Sequence, residues 1–130
     1  DHKRAYDGDL GPNTGGMGAF SPAPAATPGV VQEILENILI PTARMMNARG
    51  MPYKGILYAG LMLTPSGIKL LEYNVRFGDP ECQVILPLLA SDLGKVLFAA
   101  ASGTLDALPP LQWHADHALG IVYASRGYPG

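Results

Sequence analysis

From Leu71 to Phe77 apolar and polar side chains alternate without a break, the period of a half-buried strand. Successive side chains of a strand point to opposite faces, so Glu72, Asn74 and Arg76 are expected on one face and Leu71, Tyr73, Val75 and Phe77 on the other. Residues 55–63 and 68–77 form a predicted antiparallel hairpin joined by Thr64-Pro65-Ser66-Gly67, where proline presets the first central turn residue and glycine relieves the end. Elsewhere the period lengthens. Val31, Ile34, Leu35, Ile38 and Leu39 recur at helical spacing, after Thr27 as N-cap and Pro28 at N1 and before Gly50 as C-terminal cap. Pro41 removes a backbone bond and clashes with the preceding turn, which predicts a break near Ile40.

After Gly78-Asp79-Pro80 the chain is expected to turn helical as far as Leu89, with Pro87 limiting the helix, and a second helix to run from Ser91 to Gly103. Leu108-Pro109-Pro110 marks a linker, and residues 118–125 read as a buried strand. Residues 1–26 carry dense glycine and proline with little periodicity and are expected to form a shaped loop. The expected fold class is α+β, an antiparallel sheet with packed helices.

Composition narrows the picture. A chain of 130 residues with 48% hydrophobic content can bury one core, and its net charge of -2 with scattered Lys and Arg argues against a nucleic-acid surface. No transmembrane span is expected, because the richest apolar run, residues 84–101, is interrupted by Asp92 and Lys95. A single cysteine, Cys82, forms no internal disulfide and fits a reducing compartment, so cytoplasm is the default location. The opening on Asp-His-Lys-Arg and the closing Tyr128-Pro129-Gly130 turn suggest a piece of a longer protein.

The candidate chemistry lies in two places. Glu72 and Asn74 offer hard oxygen ligands suited to magnesium, and the Arg76 guanidinium, next in the row, can clamp a phosphoryl or acyl-phosphate group. This is the layout of a nucleotide-dependent ligase. In Gly11-Pro12-Asn13-Thr14-Gly15-Gly16-Met17-Gly18, close glycines let backbone N–H groups approach an anion, with Asn13 and Thr14 adding side-chain donors. It is neither a Walker loop nor a dinucleotide fingerprint. His2 and Lys3 form a cationic pair that could meet a phosphate. Asp7-Gly8-Asp9 lacks the later Gly and Glu of a calcium loop, His114 and His117 read as a solvated loop, and Cys82 as packing.

Asp-His-Lys-Arg at 1–4, the Gly-Pro-Asn-Thr-Gly-Gly-Met-Gly run at 11–18, Leu-Glu-Tyr-Asn-Val-Arg-Phe-Gly-Asp-Pro-Glu at 71–81 and Gly-Tyr-Pro-Gly at 127–130 together resemble the phosphoribosylamine-glycine ligases of the ATP-grasp superfamily. The likeness covers essentially all 130 residues. It implies ATP-dependent joining of glycine to 5-phosphoribosylamine through glycyl phosphate, giving glycinamide ribonucleotide, ADP and phosphate in purine biosynthesis. By this resemblance Glu72 and Asn74 match the family's Mg2+ or Mn2+ ligands, and Arg76 would act on the transferred group. Asn13, Thr14, Gly15, Gly16 and Lys3 would contact substrate, and Asp79 or Glu81 would hold the glycine ammonium. Residues 1–108 would be the metal-binding half of an ATP-grasp domain and 109–130 the linker and first strand of a small C-terminal domain. The adenine-binding lid and amino-terminal domain would lie outside the chain, leaving it inactive alone. A different ATP-grasp carboxylate-amine ligase and a non-enzymatic phosphate-binding or assembly module are the rival readings.

Overall fold

A computed structural model describes residues 1–130 and shows an α+β chain. The strands are β1 (His2–Tyr6), β2 (Leu10–Ser21), β3 (Tyr58–Thr64), β4 (Gly67–Asn74) and β5 (Ala118–Ile121). The α-helices are α1 (Pro28–Ile34), α2 (Ile40–Ala48), α3 (Cys82–Ile85) and α4 (Leu93–Ser102). They fall into two compact units that the chain visits alternately. The first comprises Asp1–Ala23, Gly78–Asp92 and Pro110–Gly130, and the second Pro24–Phe77 and Leu93–Pro109.

In the first unit, β1, β2 and β5 form a three-stranded sheet in the order β1-β2-β5, antiparallel throughout. The expected loop at residues 1–26 is therefore largely two strands. These strands are held by backbone pairing rather than by an alternating apolar face, so they leave no period-2 signature. Their ladder is irregular: His2 pairs with Gly18 but Arg4 with Asn13, so β2 carries extra residues in between. The glycine-rich run thus forms a wide bulge inside a strand. The β1–β2 turn passes through Gly8 and Asp9, both with positive φ, so Asp7-Gly8-Asp9 serves as a hairpin tip. Ala19, Val84 and Leu88 are buried, and Val84 of α3 sits so close to Gly120 that an added Cβ there would lie 3.2 Å from its Cγ1.

The strand expected over 118–125 is shorter and is not buried, since Leu119 is 71% and Ile121 67% exposed. The helix after Pro80 is also short, because α3 gives way to a 3-10 turn at Leu86–Leu88, where Pro87 cannot continue the α-helical bonding.

In the second unit, Thr27 caps α1 as expected, its Oγ1 accepting from the Val30 amide at 3.4 Å. The predicted break near Ile40 does not occur. Leu35–Leu39 form a π-helical turn and α2 follows directly with Leu39 and Ile40 still in helical geometry. Widening by one residue absorbs the missing Pro41 amide without interrupting the helix. Gly50, at φ +75, ends it. The β3–β4 hairpin forms through the expected turn, and Thr42 Oγ1 meets the Tyr73 hydroxyl at 2.6 Å, joining α2 to β4. Ala99 and Ala100 of α4 are buried, and Lys54 Nζ donates to the Ala101 carbonyl near the helix end at 3.3 Å.

Candidate functional site

The hairpin register decides which side chains share a face. Tyr58 pairs with Asn74, Ala59 with Tyr73 and Gly60 with Glu72, but the next pair is Leu61 with Leu70. Leu71 is thus an extra residue, a bulge that shifts the alternation by one. Glu72 and Asn74 stay together on one face, as the pattern predicts. On the other face Tyr73 is joined by Leu70 and Ile68, and these line a groove with Ile38, Thr42 and Met45. Leu71 and Val75, expected in the core, are 62% and 74% exposed: the bulge ejects the first, and the second lies beyond the strand.

Asn74 Nδ2 donates to Glu72 Oε1 at 3.2 Å, which confirms their common face and orients both groups. Gly60 lies across the ladder from Glu72, and an added Cβ there would sit 3.1 Å from the Glu72 Cγ. The carboxylate stem therefore lies over bare backbone. Arg76 differs from its expected place. Because β4 ends at Asn74, Arg76 is past the strand, exposed, with Nη1 donating to the Phe77 carbonyl at 2.8 Å. The alternation of β4 stops two residues short of it.

In the first unit, the bulged glycine run is closed by Lys3 and Thr14. Thr14 Oγ1 donates to the Lys3 carbonyl at 2.9 Å and accepts from the Gly16 amide at 3.1 Å, while Lys3 Nζ donates to the Gly15 carbonyl at 3.3 Å and pairs with Asp1 at 2.7 Å. Thr14 and the Gly16 amide are therefore committed to shaping the bulge. Asn13 and Gly15 are exposed, and no atom lies within 4 Å of a Cβ placed on Gly15. Gly16 is buried with φ +146, and its Cα faces the Pro80 ring and the Asp79 carbonyl. The structure thus brings the glycine run against Asp79-Pro80, segments far apart in sequence. Asp79 itself is exposed and accepts from Gln83 Nε2 at 2.9 Å. Glu81 folds its carboxylate over Gly78.

Gly60 and Gln83 are neighbours of the candidate groups that sequence reasoning passed over. Gly60 is found only from strand register. The i, i+4 spacing of Asp79 and Gln83 was available in the sequence. His114 and His117 are exposed, and no cluster of three or more His, Cys, Asp or Glu side chains is arranged to hold a metal. The Glu72–Asn74 pair nevertheless fits Mg2+ or Mn2+, because such ions take one or two protein oxygens and complete their shell with water and phosphate oxygens.

The family model described as phosphoribosylglycinamide synthetase, ATP-grasp (A) domain, matches residues 1–82. The chain is 56% identical over 131 residues to a phosphoribosylamine–glycine ligase of Synechocystis sp., with 100% of this chain and 31% of that protein covered. It is 55% identical over 130 residues to the ligase of the same name from Agrobacterium fabrum, again over 100% of this chain and 30% of the relative. A trifunctional purine biosynthetic protein adenosine-3 of Gallus gallus is 55% identical over 130 residues, 13% of its length. The chain therefore spans about 30% of the bacterial ligases that it matches. With the family model covering more than half of its residues, this chain belongs to the phosphoribosylglycinamide synthetase family and carries sequence of its ATP-grasp (A) domain.

Proposed function

We propose that this chain is part of an enzyme that joins glycine to 5-phosphoribosylamine at the expense of ATP, yielding glycinamide ribonucleotide, ADP and phosphate in purine biosynthesis. The observation that carries the reading is the Glu72–Asn74 oxygen pair, oriented on one face of β4 in a chain of this family. A glycine carboxylate oxygen attacks the γ-phosphorus, ADP departs, and the amine nitrogen then attacks the glycyl phosphate carbonyl, losing a proton as phosphate leaves.

Both partners in the first step are negative, so the site must offset their repulsion while holding them in line. Glu72 and Asn74 would hold Mg2+ or Mn2+, which supplies positive charge at the ATP phosphates. Arg76 keeps guanidinium donors beyond the one used on Phe77, and these stabilise charge on the transferred phosphoryl group. Gly15 and Asn13, exposed on the bulge, together with Lys3, contact the phosphate or ribose of phosphoribosylamine, while Thr14 and Gly16 shape that surface. Asp79 takes the glycine ammonium. Residues 1–108 belong to the metal-binding half of the ATP-grasp domain, and 109–130 lead into a small C-terminal domain. No helix is long and apolar enough to cross a membrane. The lone free thiol of Cys82 supports a reducing compartment, the cytoplasm, for the enzyme.

The test is ADP release by an enzyme of the relatives' length that carries this chain, with ATP and magnesium. Release that requires glycine and phosphoribosylamine together, with glycinamide ribonucleotide formed, is the expected result. Release with another carboxylate or amine keeps the ATP-grasp chemistry and discards the substrates, and no release under any pairing discards the ligase reading.

A further inference from the structure

Asp79 is held from two sides. Its backbone carbonyl abuts Gly16, and its side chain accepts from Gln83 Nε2 at 2.9 Å. The local backbone sets up the second contact. Cys82 N donates to the Gly78 carbonyl at 3.0 Å and Gln83 N to the Pro80 carbonyl at 3.3 Å, so the chain completes a turn between Asp79 and Gln83. The far end of the Gln83 amide is also engaged, its Oε1 accepting from the Cys82 thiol at 2.8 Å. A primary amide has one donor end and one acceptor end, so a thiol on Oε1 and a carboxylate on Nε2 agree on the same orientation.

The choice of partner matters. A Lys or Arg in this position would orient the carboxylate but also cancel its charge. A neutral amide orients it and leaves the charge in place. Asp79 is exposed, its hydrogen bond from Gln83 is to Oδ1 alone, and the ion pair in this unit joins Lys3 to Asp1 instead.

We propose that Gln83 is a positioning residue that fixes the Asp79 carboxylate, with Oδ2 presented to the primary ammonium of the amino-acid substrate, and that the Cys82 thiol sets the Gln83 amide. The proposal rests on the reading of Asp79 as the ammonium site. Its test is steady-state kinetics of the full-length ligase carrying Gln83→Met, Gln83→Lys or Asp79→Asn, with glycine and ATP varied separately. Gln83 is exposed, so neither of its replacements disturbs a core.

Loss of one hydrogen bond to a charged group predicts a KM for glycine raised about tenfold in Gln83→Met, with the KM for ATP within about twofold of the parent. Gln83→Lys should raise the glycine KM at least as far, although lysine restores a bond to Asp79, because it cancels the charge. A Gln83→Lys enzyme with parental glycine KM would make the residue a structural brace and overturn the proposal. So would equal changes in both KM values. If Asp79→Asn raises the glycine KM and Gln83→Met does not, positioning alone fails. If Asp79→Asn leaves it unchanged, the ammonium site itself is wrong and the proposal falls with it.

Discussion

Replacing Gly16 by alanine adds one methyl group where the fold leaves no room for it. The new Cβ would overlap Pro80 Cδ, with the Asp79 carbonyl oxygen at 3.3 Å and Pro80 Cγ at 3.4 Å. Pro80 is itself buried, and its ring cannot swing aside as a flexible side chain would. The backbone adds a second penalty, since φ +146 lies where L side chains are disfavoured. Strain of this kind costs about 1–3 kcal/mol and overpacking about 1–3 kcal/mol, so the expected loss is on the order of 3 kcal/mol. Gly15→Ala is the control. It differs by one position, yet its Cβ meets nothing within 4 Å, and an exposed substitution of this type shifts stability by only about 0.5 kcal/mol. The single tryptophan, Trp113, belongs to the same unit and reports on it in urea unfolding followed by fluorescence. With a slope of about 2 kcal/mol per molar urea, the Gly16→Ala midpoint should fall by about 1.5 M. Equal midpoints for the two variants would refute the claim that the glycine run is packed against Asp79-Pro80.

Thr14→Val keeps the shape but removes a donor to Lys3 and the acceptor for the Gly16 amide, and should lower stability by about 1–3 kcal/mol, whereas Thr14→Ser should lose far less; calorimetry of both variants checks this. Gly60→Ala pushes against the Glu72 stem, so the magnesium concentration for half-maximal turnover should rise several-fold with little change in the KM for phosphoribosylamine. Glu72→Ala in the full-length enzyme should abolish turnover while leaving the circular dichroism spectrum unchanged, and near-parental activity at saturating magnesium would remove it from the metal site. Arg76→Lys should lower kcat by at least about tenfold, because a point charge does not reproduce the planar guanidinium fork, and a preserved kcat would place Arg76 away from the transferred group.

The legible parts of the sequence were those governed by local chemistry. Thr27 and Pro28 announce a helix start, Gly50 its end, and Thr64 to Gly67 a hairpin turn, because each depends on a few adjacent atoms. The common face of Glu72 and Asn74 was legible because both lie on the same side of the bulge. Leu71 was misplaced because a bulge is a property of two paired strands and leaves no mark on one. Residues 1–26 hid their strands because β2 is glycine-rich and gains order from its partners β1 and β5. Pro41 predicts trouble for a helix but not its remedy, which required Leu35–Leu39 to widen together. The contact between Gly16 and Pro80 joins distant segments and is invisible to any window of sequence.

The extra residue at Leu71 acts as a phase shifter. Ile68 and Leu70 precede it, Glu72 and Asn74 follow it, and in an unbroken strand all four would point the same way. The apolar residues would then accompany the metal-ligand candidates into water, or the ligands would follow them into the groove beside Thr42. One inserted residue lets a single strand of eight carry both loads on opposite sides. A graft of this segment onto a regular hairpin would consequently deliver either its anchor or its chemistry, never both, and deleting Leu71 would impose the same choice on β4 itself.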